Sequence, residues 1–357
     1  MRLIVPADLS SHLRKLLLSV LLVFLAACAE TPEGGVPHPD MLQRQNYSDV
    51  RVMSWNVKLT SILPPDGVRE ESFARIVQAI DPDVIGLQEV MLPDQGEVIA
   101  QLMNRYVPLD KGGSWQVHTV ADNALISRFP LHQRGGELVV RYPYPELELP
   151  DFHYGYAAAL IDIPDYSGGT DMYVVAMHNK SGDGEENVRL RQLQSDVIAS
   201  WLRDLRKPGH TSFIPDKTPI VILGDMNVVP SAPMRPFETL LSGDIADEES
   251  FGPDFRIDWD DSDMADARPS HNALGRDFYT WRNDNLPFEP SALDRIIFTD
   301  SVMSVRRRFV LNTMTMLPSD LENHRLKQTD VLFGGDPSYY DHLPLVVDFA
   351  IGLVSSE

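Results

Sequence analysis

The chain has 357 residues, 43% hydrophobic and 23% charged, which is ordinary globular usage and enough for one large domain or two medium ones. Its formal charge of −21 repels nucleic acid and anionic lipid unless a local basic patch or bound cations reverse the field, and so argues against a dedicated nucleic-acid binder. A single cysteine, Cys28, excludes a disulfide framework and a thiolate metal site.

At the N-terminus, Arg2, Arg14 and Lys15 precede or open an apolar run from Leu16 to Ala27. The run is too short to span a bilayer as a settled helix and has the length of a signal-peptide core. Leu25-Ala26-Ala27-Cys28 closes it with small residues and resembles the lipobox of bacterial lipoproteins. That resemblance implies a signal peptide over 1–27, lipidation of Cys28 as the mature N-terminus, and a protein held at the cell envelope. Several acyl chains on one cysteine would make the anchoring stable, and Ala29 favours an outer membrane where the cell has two. Residues 28–48 are rich in Pro, Gly and charge and read as a flexible tether. The folded domain is expected over 49–352.

That domain opens with the strand "VRVMSWNV". Phe73, Ile76, Val77 and Ile80 share one face of a helix over 70–80, which Asp81-Pro82 ends. "DVIGLQEV", "NALISRFPL", "YAAALIDI" and "DMYVVAMHNK" read as strands. A long helix follows, with Leu190, Leu193, Val197, Trp201 and Leu205 on one stripe. After the strand "PIVILGDMN" the chain is irregular over 230–290, and it closes with the strands "LDRIIFTD" and "LPLVVDFA". The spans 141–155 and 244–266 read as loops or insertions near a rim, and the basic run 306–308 as a solvated face. Mixed strand pairing with helices outside predicts an α/β sandwich.

Polar residues recur where these strands stop or start. Asn56, Glu89, His178 and the pair Asp225 and Asn227 end strands, Asp294 opens one, and Asp341 and His342 immediately precede the last. Each alone reads as a turn cap or a satisfied core group. Together they place hydrophilic groups beside six apolar runs, and burial without partners is costly, so they are expected to face one another or a metal. Oxygen donors of Glu, Asp and Asn suit Mg²⁺, Mn²⁺ or Ca²⁺ better than zinc. Two imidazoles and two carboxamides supply donors to a phosphoryl oxyanion, an Asp can orient water, and Asp294 beside His342 would fix its tautomer and favour its charged form. Such a set fits phosphoester hydrolysis better than peptide or glycosidic cleavage.

The motifs "MSWNV", "IGLQEV", "NALISRFPL", "VVAMHNKSG", "VILGDMNVVP", "SALDRIIFTD" and "YYDHLPLVVDF" span residues 50 to 349. In that order they resemble the endonuclease/exonuclease/phosphatase superfamily (DNase I-like). The resemblance implies a four-layer α/β sandwich, two packed mixed β-sheets flanked by helices, and a common monomeric state. It implies metal-dependent phosphoester hydrolysis with Mg²⁺, or Mn²⁺ or Ca²⁺ in its place. By position, Glu89, Asn56 and Asp341 match metal-contacting residues; His342, held by Asp294, matches the histidine that contacts the phosphate or activates water. His178 matches a donor to a phosphate oxygen or leaving group, and Asp225 with Asn227 matches a pair that orients water and binds phosphate. Whether Asp225 is a base or holds a second cation stays open. Tyr340 stands where Ser is frequent, and the site tyrosine of AP endonucleases has no clear counterpart, although Tyr154 and Tyr156 lie near.

The implied substrate is a phosphoester: extracellular nucleic acid, a phospholipid headgroup as in sphingomyelinases, or a small phosphate ester. Arg128, Arg141, Lys180, Arg189 and Arg191 could form a phosphate-binding rim, and no exposed aromatic stretch is evident for lipid. A reading of another class, an inactive surface binding module, requires decay among the ligand residues, and none is seen.

Overall fold

A computed structural model describes residues 40–352, apart from 59–61, 63–67, 91–94, 137, 145–148, 165–169, 275 and 332–339. Cys28 and the signal peptide therefore lie outside the described residues, as does the tether up to residue 39. The chain divides between Asp40 and Met41, and the larger unit runs Met41–Glu357. Residues 41–48, read from sequence as tether, belong to this unit. Leu42 is buried, and Arg44 reaches Asp83 at 2.6 Å.

Two sheets carry the fold. The first holds β1 (Val50–Asn56), β2 (Val84–Gln88), β3 (Gln116–Val120), β4 (Asn123–Ser127), β12 (Met303–Val310) and β13 (Leu345–Ile351), in the order β12-β13-β1-β2-β4-β3. The second holds β5 (Leu131–Gly135), β7 (Leu149–Ile161), β8 (Met172–His178), β9 (Ile220–Asp225), β10 (Ala265–Asp266) and β11 (Asp294–Phe298), in the order β10-β11-β9-β8-β7-β5. β6 (Leu138–Tyr144) pairs with β7 off this path. The segment read as a rim loop over 141–155 is thus largely the β6–β7 pair, its Pro residues having argued against strand. The basic run 306–308 lies on β12, with Arg306 and Arg308 exposed.

Period-2 alternation lets the second sheet bury both faces. Val174, Ala176, Val221 and Leu223 join the core between the sheets, whereas Tyr173, Val175, Ile220 and Ile222 face α3 (Glu185–Leu205). The sheets approach closely at Gly86, where an added Cβ would sit 1.9 Å from Leu223 Cδ1. α1 (Glu70–Ile80) and α2 (Gln95–Tyr106) contribute Phe73, Ile76, Ile99 and Met103 to the same core as the first sheet. The predicted helix over 70–80 matches α1, whereas α2 and β3 had no clear periodic signal. α3 is present, but its buried stripe is rotated from the expected one. Leu190 and Leu205 are buried as expected, while Leu193, Val197 and Trp201 are only half-buried. The positions that face inward include the polar Arg191, Gln194 and Asp196, whose partners include loop backbone groups, so hydrophobicity alone misplaces the face. The irregular region 230–290 contains α4 (Arg235–Ser242) and α5 (Glu248–Phe251), and α6 (Pro318–Asn323) follows β12.

Two charges sit inside the first sheet. Arg51 and Asp348 are opposite in the β1–β13 register and form a two-pronged pair, Nε to Oδ1 at 2.6 Å and Nη2 to Oδ2 at 2.7 Å. The remaining Nη1 donates to the carbonyls of Leu42 and Ile80, each at 2.7 Å. A buried ion pair is tolerable only with its hydrogen-bonding capacity filled in this way. These contacts tie the 41–48 segment and the end of α1 to the strands that lead into the polar cluster described next.

Candidate active site

Strand directions bring the polar ends together. β1 and β2 are parallel, so Asn56 and Gln88 finish side by side, and antiparallel β13 begins at the same end, with Leu345 opposite Ser54. In the second sheet, parallel β8 and β9 align His178 with Asp225, and antiparallel β11 aligns Asp294 with Asp225. Both sheets thus present these residues at one edge of the sandwich. Gly224 sits just before Asp225 with φ 142°, and a Cβ there would meet Met177 O at 1.9 Å, so only glycine allows this approach of β9 to β8. The strands then exit through strained backbone. Glu89 (φ 60°) and Asn227 (φ 48°) take left-handed conformations that non-glycine residues seldom adopt.

Asp225 is the centre of the cluster. Its Oδ2 lies 3.6 Å from His178 Nε2 and 3.7 Å from His342 Nε2, and accepts from Asn56 Nδ2 at 3.1 Å. Its Oδ1 accepts the backbone N–H of Asn227 at 3.0 Å. Each histidine has an acid behind it. His342 Nδ1 is 2.8 Å from Asp294 Oδ2, which also accepts from Thr280 Oγ1 at 2.5 Å. His178 Nδ1 is 2.6 Å from Asp122 Oδ2. Burial is the largest influence on both imidazoles and lowers their affinity for protons, but the flanking carboxylates outweigh it and push each up to about 10. Burial, reinforced by the charge of Asp294 and opposed by the two histidines, raises Asp225 to about 6.

Glu89 and Asp341 stand beside this centre, and both line a cavity of about 620 Å³ with His178, Asp225, Asn227 and His342. Glu89 Oε1 accepts from Asn56 Nδ2 at 3.0 Å, while Asn56 Oδ1 accepts Lys58 N at 3.0 Å. Asn56, a metal ligand on the sequence reading, therefore turns its donor towards the carboxylates, and its oxygen is engaged by backbone. In this arrangement it orients Glu89 and Asp225. Asp341 Oδ2 is 3.7 Å from Lys58 Nζ. Asp225, Asp294 and His342 offer ligand atoms within 4.8 Å of one another, a possible metal-holding group among the described residues. Glu89 and Asp341 line the same cavity as this group. Five carboxylates (Glu89, Asp122, Asp225, Asp294 and Asp341) face two imidazolium rings and Lys58, and a hard cation would neutralise that excess.

Tyr340 is a core residue, buried 4.4 Å from Trp55 with its hydroxyl donating to Arg69 O at 3.3 Å. Among the described residues the expected basic rim does not assemble, and Lys180 is buried with its Nζ donating to Ser181 O at 3.3 Å. Arg128 pairs with Asp81 and Asp83 near the opposite end of β2, Arg189 pairs with Glu186 on exposed α3, and the side chain of Arg141 lies outside the described residues. Arg191 lies buried under the loop after β8, donating to the carbonyls of Lys180 and Gly182.

Asp122, Asn179, Gln194, Thr280 and Trp281 were not singled out from sequence. Asp122 opens β4 as Asp294 opens β11, so the strand-end rule reaches it when applied one residue earlier. Asn179 and Gln194 act on backbone. Asn179 O accepts from Asn227 Nδ2 at 2.8 Å, and Gln194 bridges His178 O and Lys180 N at 3.3 and 2.9 Å. Thr280 and Trp281 lie in the region without periodicity and left no signal.

The His178–Asp122 pair predicts a measurable linkage. Because the folded pKa is raised from the usual 6.5 to about 10, the pair stabilises fully below the unfolded value and loses its effect as pH rises through the folded one. In Asp122→Asn, thermal melts should decline less steeply between about pH 7 and 10 than in the wild type, and turnover should fall about a hundredfold. Parallel melting curves across that window would refute the linkage.

The sequence pattern of the Endonuclease/Exonuclease/phosphatase family matches residues 53–320. No curated protein matches the chain. Solved structures similar in fold include an endonuclease/exonuclease/phosphatase family protein from Bacteroides thetaiotaomicron, at 19% identity and a TM-score of 0.53 over 85% of this chain and 98% of that one. A mannosyl-6-phosphatase from the same species superposes at 18% identity and 0.52 over 84% and 99%. The human Nocturnin catalytic domain with bound sulfate does so at 17% and 0.52 over 88% and 100%. At such identities the superpositions establish the DNase I-like fold alone.

Proposed function

Because the chain belongs to the Endonuclease/Exonuclease/phosphatase family and is a phosphoester hydrolase by class, we propose that it is a divalent-metal-dependent phosphodiesterase held at the cell envelope by a lipid on Cys28. The observation that carries the chemistry is Asp225 Oδ2 set 3.6 and 3.7 Å from two imidazole nitrogens, each ring backed by its own carboxylate. A carboxylate there can orient a water and take its proton as the oxygen attacks phosphorus. The imidazolium of His342, with the carboxamide of Asn227, stabilises negative charge on the phosphoryl oxygens. The imidazolium of His178 gives its proton to the departing oxygen, so the proton lost by water and the one gained by the leaving group balance. Glu89 and Asp341 would hold a Mg²⁺ or Mn²⁺ ion, which when bound supplies charge neutralisation at a phosphate oxygen.

The test uses the soluble chain with Mg²⁺ or Mn²⁺ on bis-(p-nitrophenyl) phosphate, p-nitrophenyl phosphate, plasmid DNA and sphingomyelin. Faster cleavage of a diester than of the monoester, stopped by EDTA and restored by metal, is expected. Silence on all four with either metal would shift the reading to a binding module. The lipobox-like sequence supports the anchor. Cys28→Ser should move the protein from the membrane to the soluble fraction, and unchanged membrane association would exclude lipidation at Cys28.

A further inference from the structure

The candidate catalytic groups are only part of the cavity lining. One wall is apolar and aromatic, built from Trp281, Leu286 and Phe288, and Val229 with Pro230 stand among the other lining residues. Phe288 is 62% exposed and Leu286 46%. Apolar side chains gathered at a catalytic cleft and left in water mark a surface that another molecule covers. The Trp281 and Phe288 rings lie 6.4 Å apart and tilted by 52°, an aromatic face of the kind on which flat rings pack.

This wall is built into the catalytic frame. Trp281 bridges both Ser291 and His342, and Trp281 N donates to Ser291 O at 2.9 Å. On either side of it, Arg282 N donates to Asp341 O at 3.0 Å, and Thr280 hydrogen-bonds Asp294. A group stacked on Trp281 is therefore held close to His342 and Asp341. The rim argues for what that group belongs to. Asp183 and Glu289 line the cavity, and no lysine or arginine does so among the described residues. A polymer with a phosphate on every unit would meet like charge there, whereas one phosphate carrying an uncharged flat ring would not. About 620 Å³ is room for a molecule of nucleotide size.

We propose that the Trp281–Phe288 wall is a stacking subsite that selects small phosphodiesters bearing one flat aromatic or heteroaromatic group close to the phosphate. This rests on the phosphodiesterase reading above and names the substrate class of that same site. The decisive pair is the methyl ester of adenosine 5′-monophosphate against the methyl ester of ribose 5-phosphate, which carries an anomeric hydroxyl in place of the base. With Mn²⁺, kcat/KM should favour the base-bearing ester by at least about tenfold, mostly through KM, as expected for a base stacked on an aromatic side chain. Phe288→Ala should bring the ratio close to one, and Phe288→Trp should retain it.

Equal kcat/KM for the two esters in the wild type, or a ratio that survives Phe288→Ala, would overturn the subsite while leaving the hydrolase reading intact. A stronger preference for monomeric dihexanoylphosphatidylcholine, lost in Phe288→Ala, would assign the wall to acyl chains and overturn the flat-ring reading. If no ester, including bis-(p-nitrophenyl) phosphate, is cleaved, the hydrolase reading is what fails. Calorimetric binding of adenosine 5′-monophosphate against ribose 5-phosphate, in wild type and Phe288→Ala, then decides the subsite separately. Equal affinities would reject it.

Discussion

Asp225→Asn is expected to lower phosphodiester turnover about a thousandfold, within the range for loss of a positioned acid or base, with the fold retained. The substitution is nearly isosteric and keeps an oxygen to accept the Asn227 N–H. It removes the one carboxylate that faces both imidazoles, with Oδ2 at 3.6 and 3.7 Å, and places an amide donor or a neutral oxygen opposite Asn56 Nδ2. An amide cannot take a proton from water, whereas a carboxylate raised to about 6 by burial and Asp294 is ionised at neutral pH and basic enough to do so. The fold should survive because Asp122 and Asp294 still pair the two histidines. Steady-state kinetics alongside circular dichroism and a thermal melt make the check. A loss of less than about tenfold in a folded variant would remove Asp225 from the chemistry.

The contrast between what could and could not be read from sequence has a physical basis. β1, β2, β8, β9, β11 and β13 are buried runs whose polar termini break the apolar pattern, and burying a polar group is costly enough to make that break informative. The same cost makes the cluster legible, because Asp225 faces His178 and His342 and Asp294 pairs with His342, although His178 and Glu89 also rely on Asp122 and Asn56. What stayed hidden works through backbone or lacks period. The β6–β7 pair looked like loop because its prolines obscured the alternation. The inward face of α3 was misplaced because Arg191 and Gln194 turn inward to serve carbonyls and an N–H of the 178–182 loop. The aromatic wall was invisible because Trp281 and Phe288 are brought to the site by single bridges and turns, which no spacing rule encodes. Asn56, placed by the sequence at the metal, donates here to both Glu89 and Asp225.

Glu89→Gln is expected to remove most of the protein's response to divalent cations, and the loss should be visible without any substrate. The side chain sits at the exit of β2 in a left-handed backbone that glutamine tolerates as well as glutamate does, and an amide oxygen can still accept from Asn56 Nδ2. The variant should therefore fold, with only the charge altered. In the wild type, an ion at about a hundred times its Kd would stabilise the native state by about 2.7 kcal/mol, a rise in Tm of about 5 °C for a domain of this size. Without the Glu89 charge, the excess of carboxylate that attracts the ion is reduced, so the rise should fall below about 1 °C at the same Mg²⁺ or Mn²⁺ concentration. Metal-dependent turnover should fall about a hundredfold or more with it. The two readouts separate the roles of neighbouring acids. A variant that keeps the thermal response but loses turnover would assign Glu89 to substrate and leave Asp341 as the principal ligand. One that keeps both would place the cation elsewhere, with the Asp225, Asp294 and His342 group as the remaining candidate.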